Sequence, residues 1–188
     1  MPTVLAHPAL PLAIGLGLGR QIISGRLLAA GVAASILPDV DVLAFPLGVQ
    51  YGSAFGHRGL THSFAFAFVA ALVGGGCHRA LRTRFSRAFL FILASAASHG
   101  ILDAFTNGGL GIAFLWPFSS DRYFAPYQVI EVSPIGISRF LTSRGLSVLE
   151  SELVWVWAPC VVLGVALGLI GARLSRAPRA TARSPGSP

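Results

Sequence analysis

Imidazole and carboxylate side chains recur at the ends of the apolar segments of this 188-residue chain. Residues 56–63 read Gly-His-Arg-Gly-Leu-Thr-His-Ser and place two histidines and an arginine directly before a long apolar run. Imidazole nitrogen and carboxylate oxygen are the ligands that zinc, manganese and iron sites use. The pattern predicts a divalent-metal site, and its candidate ligands are His7, Asp39, Asp41, His57, His62, His99 and Asp103.

Each of these side chains also has a structural interpretation, as a helix cap or as a polar group whose hydrogen bonds are satisfied. For any one residue the two interpretations carry equal weight. Seven such groups together favour a functional site, because ionisable groups in apolar surroundings are costly and tend to be functional.

The composition excludes an ordinary soluble domain. Hydrophobic residues make up 54% of the chain, charged residues only 11%, and the mean hydropathy is +0.71. We therefore predict an all-α fold, a polytopic transmembrane helical bundle. The net charge of +7 could suggest a nucleic-acid partner, but the chain has no lysine and its arginines cluster between apolar runs. We expect a lipid bilayer as the partner and no nucleic acid.

Five apolar runs predict about five membrane helices. The second run is short for a full span, so it could be tilted, extended into its flanks or partly re-entrant. The last run opens with the capping-box spacing of Ser147 and Glu150, and Pro159 predicts a kink within it. The five runs are residues 3–19, 27–37, 64–77, 88–106 and 147–174.

Two further segments are predicted to lie outside the spans. Residues 108–147 are broken by Gly, Pro and Ser and hold aromatic side chains that suit the headgroup level. Within them Ser133-Pro134 predicts the start of a short interfacial helix, whose buried side would hold Ile137, Phe140 and Leu141. Residues 175–188 predict a disordered basic tail after a membrane-embedded domain of residues 1–174.

The arginines predict the orientation in the membrane. One side of the predicted bundle holds ten arginines and no acid, and the other holds four arginines and all seven acids. Since basic residues are enriched on the cytoplasmic side, we expect the N-terminus outside, the C-terminus inside, and the tail in the cytoplasm. The ten arginines are Arg20, Arg26, Arg79, Arg82, Arg84, Arg87, Arg173, Arg176, Arg179 and Arg183.

This topology places all seven candidate ligands on the outer side, near the membrane interface. His99 and Asp103 are four residues apart and would share one helical face. Asp39 and Asp41 are two apart and cannot share such a face, so at least one is expected on an unwound helix end. A carboxylate there could bridge two metal ions while its neighbour orients an imidazole.

Four motifs together resemble those of the YdjM-like family of bacterial inner-membrane, metal-dependent hydrolases. They are Leu-Pro-Asp-Val-Asp at 37–41, the histidine stretch at 56–63, Ser-His-Gly-Ile-Leu-Asp-Ala-Phe-Thr at 98–106 and Leu-Trp-Pro at 115–117. The resemblance covers about two thirds of the chain, and it implies a metal site in the bacterial inner membrane and a hydrolase activity.

The order of these residues is also distantly similar to that of zinc-dependent phospholipase C and P1-type nuclease. That likeness implies a phosphoesterase in which His7, Asp39, His57 or His62, His99 and Asp103 are ligands. No histidine follows His99, so the later His-x-x-x-Glu pair of that group is missing. We therefore expect one or two ions, zinc before manganese or iron.

The chemistry these residues predict is hydrolysis by metal-activated water, with Asp39 or Asp41 as general base. Arg58 would bind a phosphate or carboxylate of the substrate, or alternatively reach the lipid headgroups. His57 or His62 would ligate the metal or protonate the leaving group. At this depth a lipid or lipid-linked phosphoester is the expected substrate. A divalent-metal transporter and a non-catalytic metal-binding membrane protein are the alternatives.

Overall fold

The computed structural model describes residues 1–134 and 136–176, and within these ranges the regular elements are all helical. The helices are α1 (Ala9–Leu18), α2 (Gly25–Ile36), a 3₁₀ helix (Leu37–Leu47), a short 3₁₀ turn (Leu60–His62), α3 (Phe64–Gly76), α4 (Phe85–Ala104), α5 (Ile137–Phe140), α6 (Ser143–Glu152), a π-helical turn (Leu153–Trp157) and α7 (Ala158–Arg176). The predicted all-α class is confirmed.

Three helical stretches are long and apolar enough to cross a membrane: Gly25–Leu47, Phe85–Ala104 and Ser143–Arg173. Two shorter apolar helices, Ala9–Leu18 and Phe64–Gly76, accompany them. The helical membrane character of the chain agrees with the prediction. That all five helices span the bilayer stays a prediction.

Helix α4 is the centre of the bundle and packs against both α2 and α3. The side chains between these helices are mostly alanine, with Leu27, Phe91 and Ile92 filling the remaining space. Small residues let helices approach closely. Between membrane helices the hydrophobic effect supplies no driving force, so close packing has to hold them together. This apolar core fills the half of the bundle that contains the start of α4.

The second apolar run is extended by a different helix type. After α2 the chain tightens into the 3₁₀ helix Leu37–Leu47, with Pro38 near its start. Proline has no backbone N–H, so it cannot continue the α-helical hydrogen bonds, and the tighter turn follows. Of the three alternatives for this run, extension into its flank is the one found, and Asp39 and Asp41 lie on that extension.

The last run contains a π-helical turn close to the predicted kink. In this turn the Ala158 N–H donates to the Leu153 carbonyl, five residues back. Pro159 cannot donate to the carbonyl of Trp155, which explains the wider turn just before it. The predicted capping box is wrong, because α6 begins at Ser143 and Ser147 lies inside it.

The short interfacial helix exists as the single turn α5, but the predicted start at Ser133-Pro134 is wrong by about one turn. Leu141 is 76% exposed on the protein surface, and its burial in the membrane interface stays a prediction. The predicted disordered tail lies outside the described residues from 177 onward, and residues 175 and 176 still belong to α7.

Glycines join α1 to α7, which pack along each other. A Cβ added to Gly17 would lie 2.6 Å from the carbonyl oxygen of Gly164, and one added to Gly164 would lie 3.1 Å from that of Ala13. The pair Gly164 and Gly168 thus has the packing role expected of small residues four apart.

We expect Gly17→Val to push α7 away from α1 and to lower the free energy of unfolding by about 1–3 kcal/mol, as overpacking of a filled contact does. Thermal unfolding of the purified protein in detergent measures this change. Gly171→Val is the matched control, because a Cβ there meets nothing within 4 Å. Equal loss of stability in the two variants would contradict the assigned contact.

Candidate metal centre

The seven predicted ligands come together at one end of the bundle. Asp39 and Asp41 come from the 3₁₀ helix after α2, and His57 and His62 from the stretch before α3. His99 and Asp103 lie one turn apart at the end of α4, and His7 lies just before α1. Two groups have ligand atoms that all lie within 4.8 Å of one another: Asp39, His57, His62 and Asp103, and also His7, His99 and Asp103.

The segment that carries His7 is fastened to the last long helix. The backbone N–H and the hydroxyl of Thr3 both donate to the buried carboxylate of Glu152, the hydroxyl at 2.7 Å. Ala6 packs beside Val156 of the π-helical turn. The position of His7 therefore depends on the end of α6 and the turn that follows.

Four atoms converge at the centre of the site. The Nε2 atoms of His62 and His99 are 3.0 Å apart. Asp39 Oδ1 lies 3.7 Å from the first and 3.4 Å from the second, and Asp103 Oδ2 lies 3.2 Å and 3.9 Å from them. Ligands at 2.0–2.1 Å in a tetrahedron would be about 3.3 Å apart. The spacing of these atoms could therefore hold one metal ion.

The other oxygens of the same carboxylates face His7. Its Nε2 lies 3.5 Å from Asp39 Oδ2 and 4.0 Å from Asp103 Oδ1. The His7 ring stacks on that of His99, with 3.7 Å between the ring centroids. Each carboxylate thus directs one oxygen to each side, the arrangement needed to bridge two ions.

These groups are buried without the hydrogen bonds that burial demands. Both carboxylate oxygens of Asp39 and of Asp103, and both ring nitrogens of His7, have no hydrogen-bond partner. Buried polar groups are almost always paired, and an unpaired charge in an apolar interior is especially costly. Cations on the two sides of the carboxylates would satisfy the four oxygens and His7 Nε2.

Contacts of Nδ1 determine which ring nitrogen of His62 and of His99 faces the centre of the site. His99 Nδ1 lies 2.7 Å from the Ser35 carbonyl oxygen, which only accepts, so Nδ1 carries the hydrogen. His62 Nδ1 lies 3.0 Å from Thr61 Oγ1, and that hydroxyl donates to Asp41. Both histidines therefore offer the lone pair of Nε2 to the centre, as metal-binding histidines do.

The pKa values of His7 and His62 indicate that the site favours a bound positive charge. Burial lowers the pKa of His7 to about 3, which keeps this imidazole neutral. Burial also lowers the pKa of His62, but the nearby carboxylates of Asp103, Asp39 and Asp41 outweigh it and raise the value to about 10. The carboxylates thus bind a cation at His62, and either a proton or a metal ion meets that requirement.

His57 forms a dyad with Asp41. Its Nδ1 lies 2.7 Å from Asp41 Oδ1, and the other oxygen of Asp41 accepts from Thr61 at 2.7 Å and lies 3.3 Å from His62 Nδ1. Asp41 therefore orients two imidazoles through its two oxygens. The ring of His57 stands edge-on to that of His62, so His57 can ligate an ion or exchange a proton beside it.

Arg58 makes contacts that its place in the sequence does not indicate. Its side chain is completely buried, which argues against contact with lipid headgroups, and its contact with a substrate phosphate stays a prediction. The guanidinium donates to the Gly108 carbonyl at 2.6 Å and to Thr106 Oγ1 at 2.8 Å, and its Nε lies 3.6 Å from Asp103 Oδ2. The Arg58 backbone has a φ of 65°, a conformation that non-glycine residues rarely adopt and that clusters at functional sites. Arg58 positions Asp103.

Three supporting residues were missed by the sequence analysis. Thr61 links Asp41 to His62, and its place beside the histidine was the available signal. Ser35 contributes a backbone carbonyl, for which a sequence carries no signal. Arg122 donates to four carbonyl groups, those of Gly52, Ser53, His57 and Gly111, across a loop with no regular pattern.

Comparison with known proteins decides the family. The model of the YdjM inner membrane protein family matches residues 1–177. The chain belongs to this family. A relative in Escherichia coli K12, called inner membrane protein YbcI, is 51% identical over 167 residues, which cover 87% of this chain and 95% of that protein. No solved structure matches.

Membership of the YdjM family confirms the resemblance seen in the sequence. It also identifies the chain as a membrane protein, in agreement with its apolar helices. The more distant similarity to zinc-dependent phospholipase C and P1-type nuclease stays a prediction.

We expect Arg58→Met to lower the free energy of unfolding of chelator-treated protein by about 3 kcal/mol, because Asp103 loses its buried counter-charge. Arg144→Met is the control, since its pair with Glu131 is exposed and contributes less than about 1 kcal/mol. Denaturant unfolding in detergent compares the two. A loss for Arg58→Met no larger than the control's would show that Arg58 does not stabilise the carboxylate.

Proposed function

We propose that this YdjM-family protein is a membrane-bound, metal-dependent hydrolase that cleaves an ester or phosphoester of a lipid or lipid-linked substrate. The observation that supports it most strongly is the convergence of Asp39 and Asp103, buried and without hydrogen bonds, on three imidazoles. Such a set of nitrogen and oxygen ligands suits zinc, and also manganese or iron.

The residues divide into two ligand groups. His62, His99, Asp39 and Asp103 would hold the first ion through the four converging atoms. His7 with the second oxygen of each carboxylate would hold another. His57 could ligate an ion through its one remaining ring nitrogen only if that nitrogen did not transfer protons. One or two ions are therefore the expected stoichiometry. When bound, such an ion acts as a Lewis acid that activates water and polarises the scissile ester.

The protein's own residues would manage the protons. Asp41 holds Nδ1 of His57, so the other ring nitrogen of His57 is free to accept a proton from water and return it to the leaving group. Asp41 would stabilise the imidazolium that forms, as the carboxylate of a catalytic triad does. Both oxygens of Asp41 already have partners, which favours this orienting role over direct action as the base.

The site lies at the end of the bundle opposite the arginines. On α4, Arg87 and Asp103 are separated by about 24 Å at 1.5 Å per residue. Arg87 and Arg26 there donate to backbone carbonyls of the neighbouring loops. With the basic end in the cytoplasm, the proposed site faces the outer side of the inner membrane.

A lipid substrate fits the surroundings of the site. The 3₁₀ helix that carries Asp41 continues into Leu43 and Leu47, which are 68% and 84% exposed. Phe55 and Phe118 on the nearby loops are also exposed. Apolar side chains at this level would contact the bilayer, so a substrate could enter sideways from the lipid.

A transporter requires a polar path to both faces. Among the described residues of α4, the buried polar groups end at Ser95, and the part of the helix nearer Arg87 buries only apolar side chains such as Phe91 and Ile92. The Ser95 hydroxyl donates to its own helix. This one-sided distribution favours hydrolysis over transport.

We expect purified protein to bind one or two equivalents of zinc or manganese and to release product from bis(p-nitrophenyl) phosphate or from a fluorescent phospholipid. His99→Ala should abolish both properties. Asp41→Asn should lower metal affinity roughly 10- to 100-fold, because it removes the group that orients two imidazoles. Elemental analysis and a chelator competition measure the metal, and the exposed Asp121→Asn is the control.

The same measurements separate the alternatives. Bound metal without turnover of any tested ester would reject the hydrolase in favour of a metal-binding membrane protein without catalysis. Zinc flux into proteoliposomes would favour a transporter. Absence of bound metal at micromolar zinc would reject the hydrolase, the non-catalytic metal-binding protein and the transporter.

A further inference from the structure

Tyr51 lies against the histidine of the proposed proton-transfer dyad. Its ring stands edge-on to that of His57, with 5.3 Å between centroids and 75° between planes. On its other side it stacks at 6.0 Å on Phe45 of the 3₁₀ helix. Two neighbours therefore fix the phenol ring beside His57.

The hydroxyl of Tyr51 lies beside the guanidinium of Arg58. A Cβ placed on Gly109 would be 2.8 Å from Tyr51 Oη and 2.5 Å from Arg58 Nη1, so both atoms flank this glycine. Gly109 has a φ of 91°, which also favours glycine there. Gly109 therefore has no side chain to fill the space that the Tyr51 hydroxyl and the Arg58 guanidinium both approach.

Unlike Arg58, Tyr51 is only half-buried, and its hydroxyl makes no hydrogen bond to the described residues. Buried or partly buried tyrosine hydroxyls usually find a partner. A phenol hydroxyl is protonated at neutral pH and can donate a hydrogen bond. It is therefore a free donor that a molecule from outside can reach.

The backbone around Tyr51 is held in place by Arg122. The guanidinium of Arg122 donates to the carbonyls of Gly52 and Ser53, next to Tyr51 in the chain, and to that of His57. These bonds tie the Tyr51 loop to the histidine stretch. A donor fixed in this way keeps its geometry before a ligand arrives.

We propose that the Tyr51 hydroxyl is the substrate-contacting donor of the site and hydrogen-bonds a non-bridging oxygen of a phosphate group held at the metal centre. This assignment rests on the proposed function and gives Tyr51 a phosphate contact of the kind that was predicted for Arg58. The guanidinium of Arg58, next to the hydroxyl, adds positive charge that favours a phosphate over a neutral ester. Phosphoesters are therefore the preferred substrate class.

The test compares Tyr51→Phe with wild type after loading with manganese. We expect unchanged metal content, about 10- to 100-fold lower kcat/KM for bis(p-nitrophenyl) phosphate, and roughly 10-fold weaker binding of inorganic phosphate by calorimetry. The phosphorothioate analogue should show a smaller difference between the two proteins, because sulfur is a weak hydrogen-bond acceptor. Tyr127→Phe is the matched control, since Tyr127 is 75% exposed.

Competition between inorganic phosphate and phosphatidic acid in micelles distinguishes free phosphate from a lipid headgroup as the ligand. Wild-type affinity for phosphate in Tyr51→Phe, or loss of metal from that variant, would overturn the assignment. Phosphate binding that depends on Tyr51, in a wild-type protein that turns over none of the esters, would support the contact while rejecting the hydrolase.

Discussion

Asp39 and Asp103 place two carboxylates in an apolar interior where water cannot screen their charge, and the described part of the chain gives none of their oxygens a hydrogen bond. Two negative charges so close together require compensation, and the neighbouring residues supply only part of it. Arg58 approaches one carboxylate at 3.6 Å. The rest must come from a proton on an imidazole or from a bound cation. The architecture around the site follows from that requirement.

The helices meet this requirement through departures from regular geometry. Pro38 converts the end of α2 into a 3₁₀ helix, on which Asp39 and Asp41 can serve adjacent parts of one site. The left-handed backbone at Arg58 turns the histidine stretch so that its guanidinium is buried while His57 and His62 both reach Asp41. The regular helix α4 supplies His99 and Asp103, and the irregular segments supply the other candidate ligands.

Many residues of the candidate site could be predicted because histidine and aspartate stand out in an apolar sequence. In a sequence with few charges, each His and Asp at the end of an apolar run is a signal, and His99 with Asp103 has helical spacing. The helical class followed from composition in the same way. Helix ends were harder: the capping pattern at Ser147 lies inside α6, and Ser133-Pro134 precedes α5 without starting it.

Roles that depend on three-dimensional surroundings were not predictable. An arginine between two histidines suggests a ligand for phosphate, and only the structure shows that its guanidinium is buried and bonded to Gly108 and Thr106. Tyr51 was one aromatic residue among many in an irregular loop. Its proposed role depends on His57, six residues further along, whose ring the fold brings against the phenol. Contacts of this kind follow no repeat in the sequence from which they could be predicted.

The contact between Thr3 and Glu152 joins the segment before α1 to the end of α6. A nascent chain that has emerged only as far as Asp103 already carries every candidate ligand, yet it lacks the carboxylate that holds the segment of His7. The complete cluster therefore requires residues that are synthesised after all of its ligands.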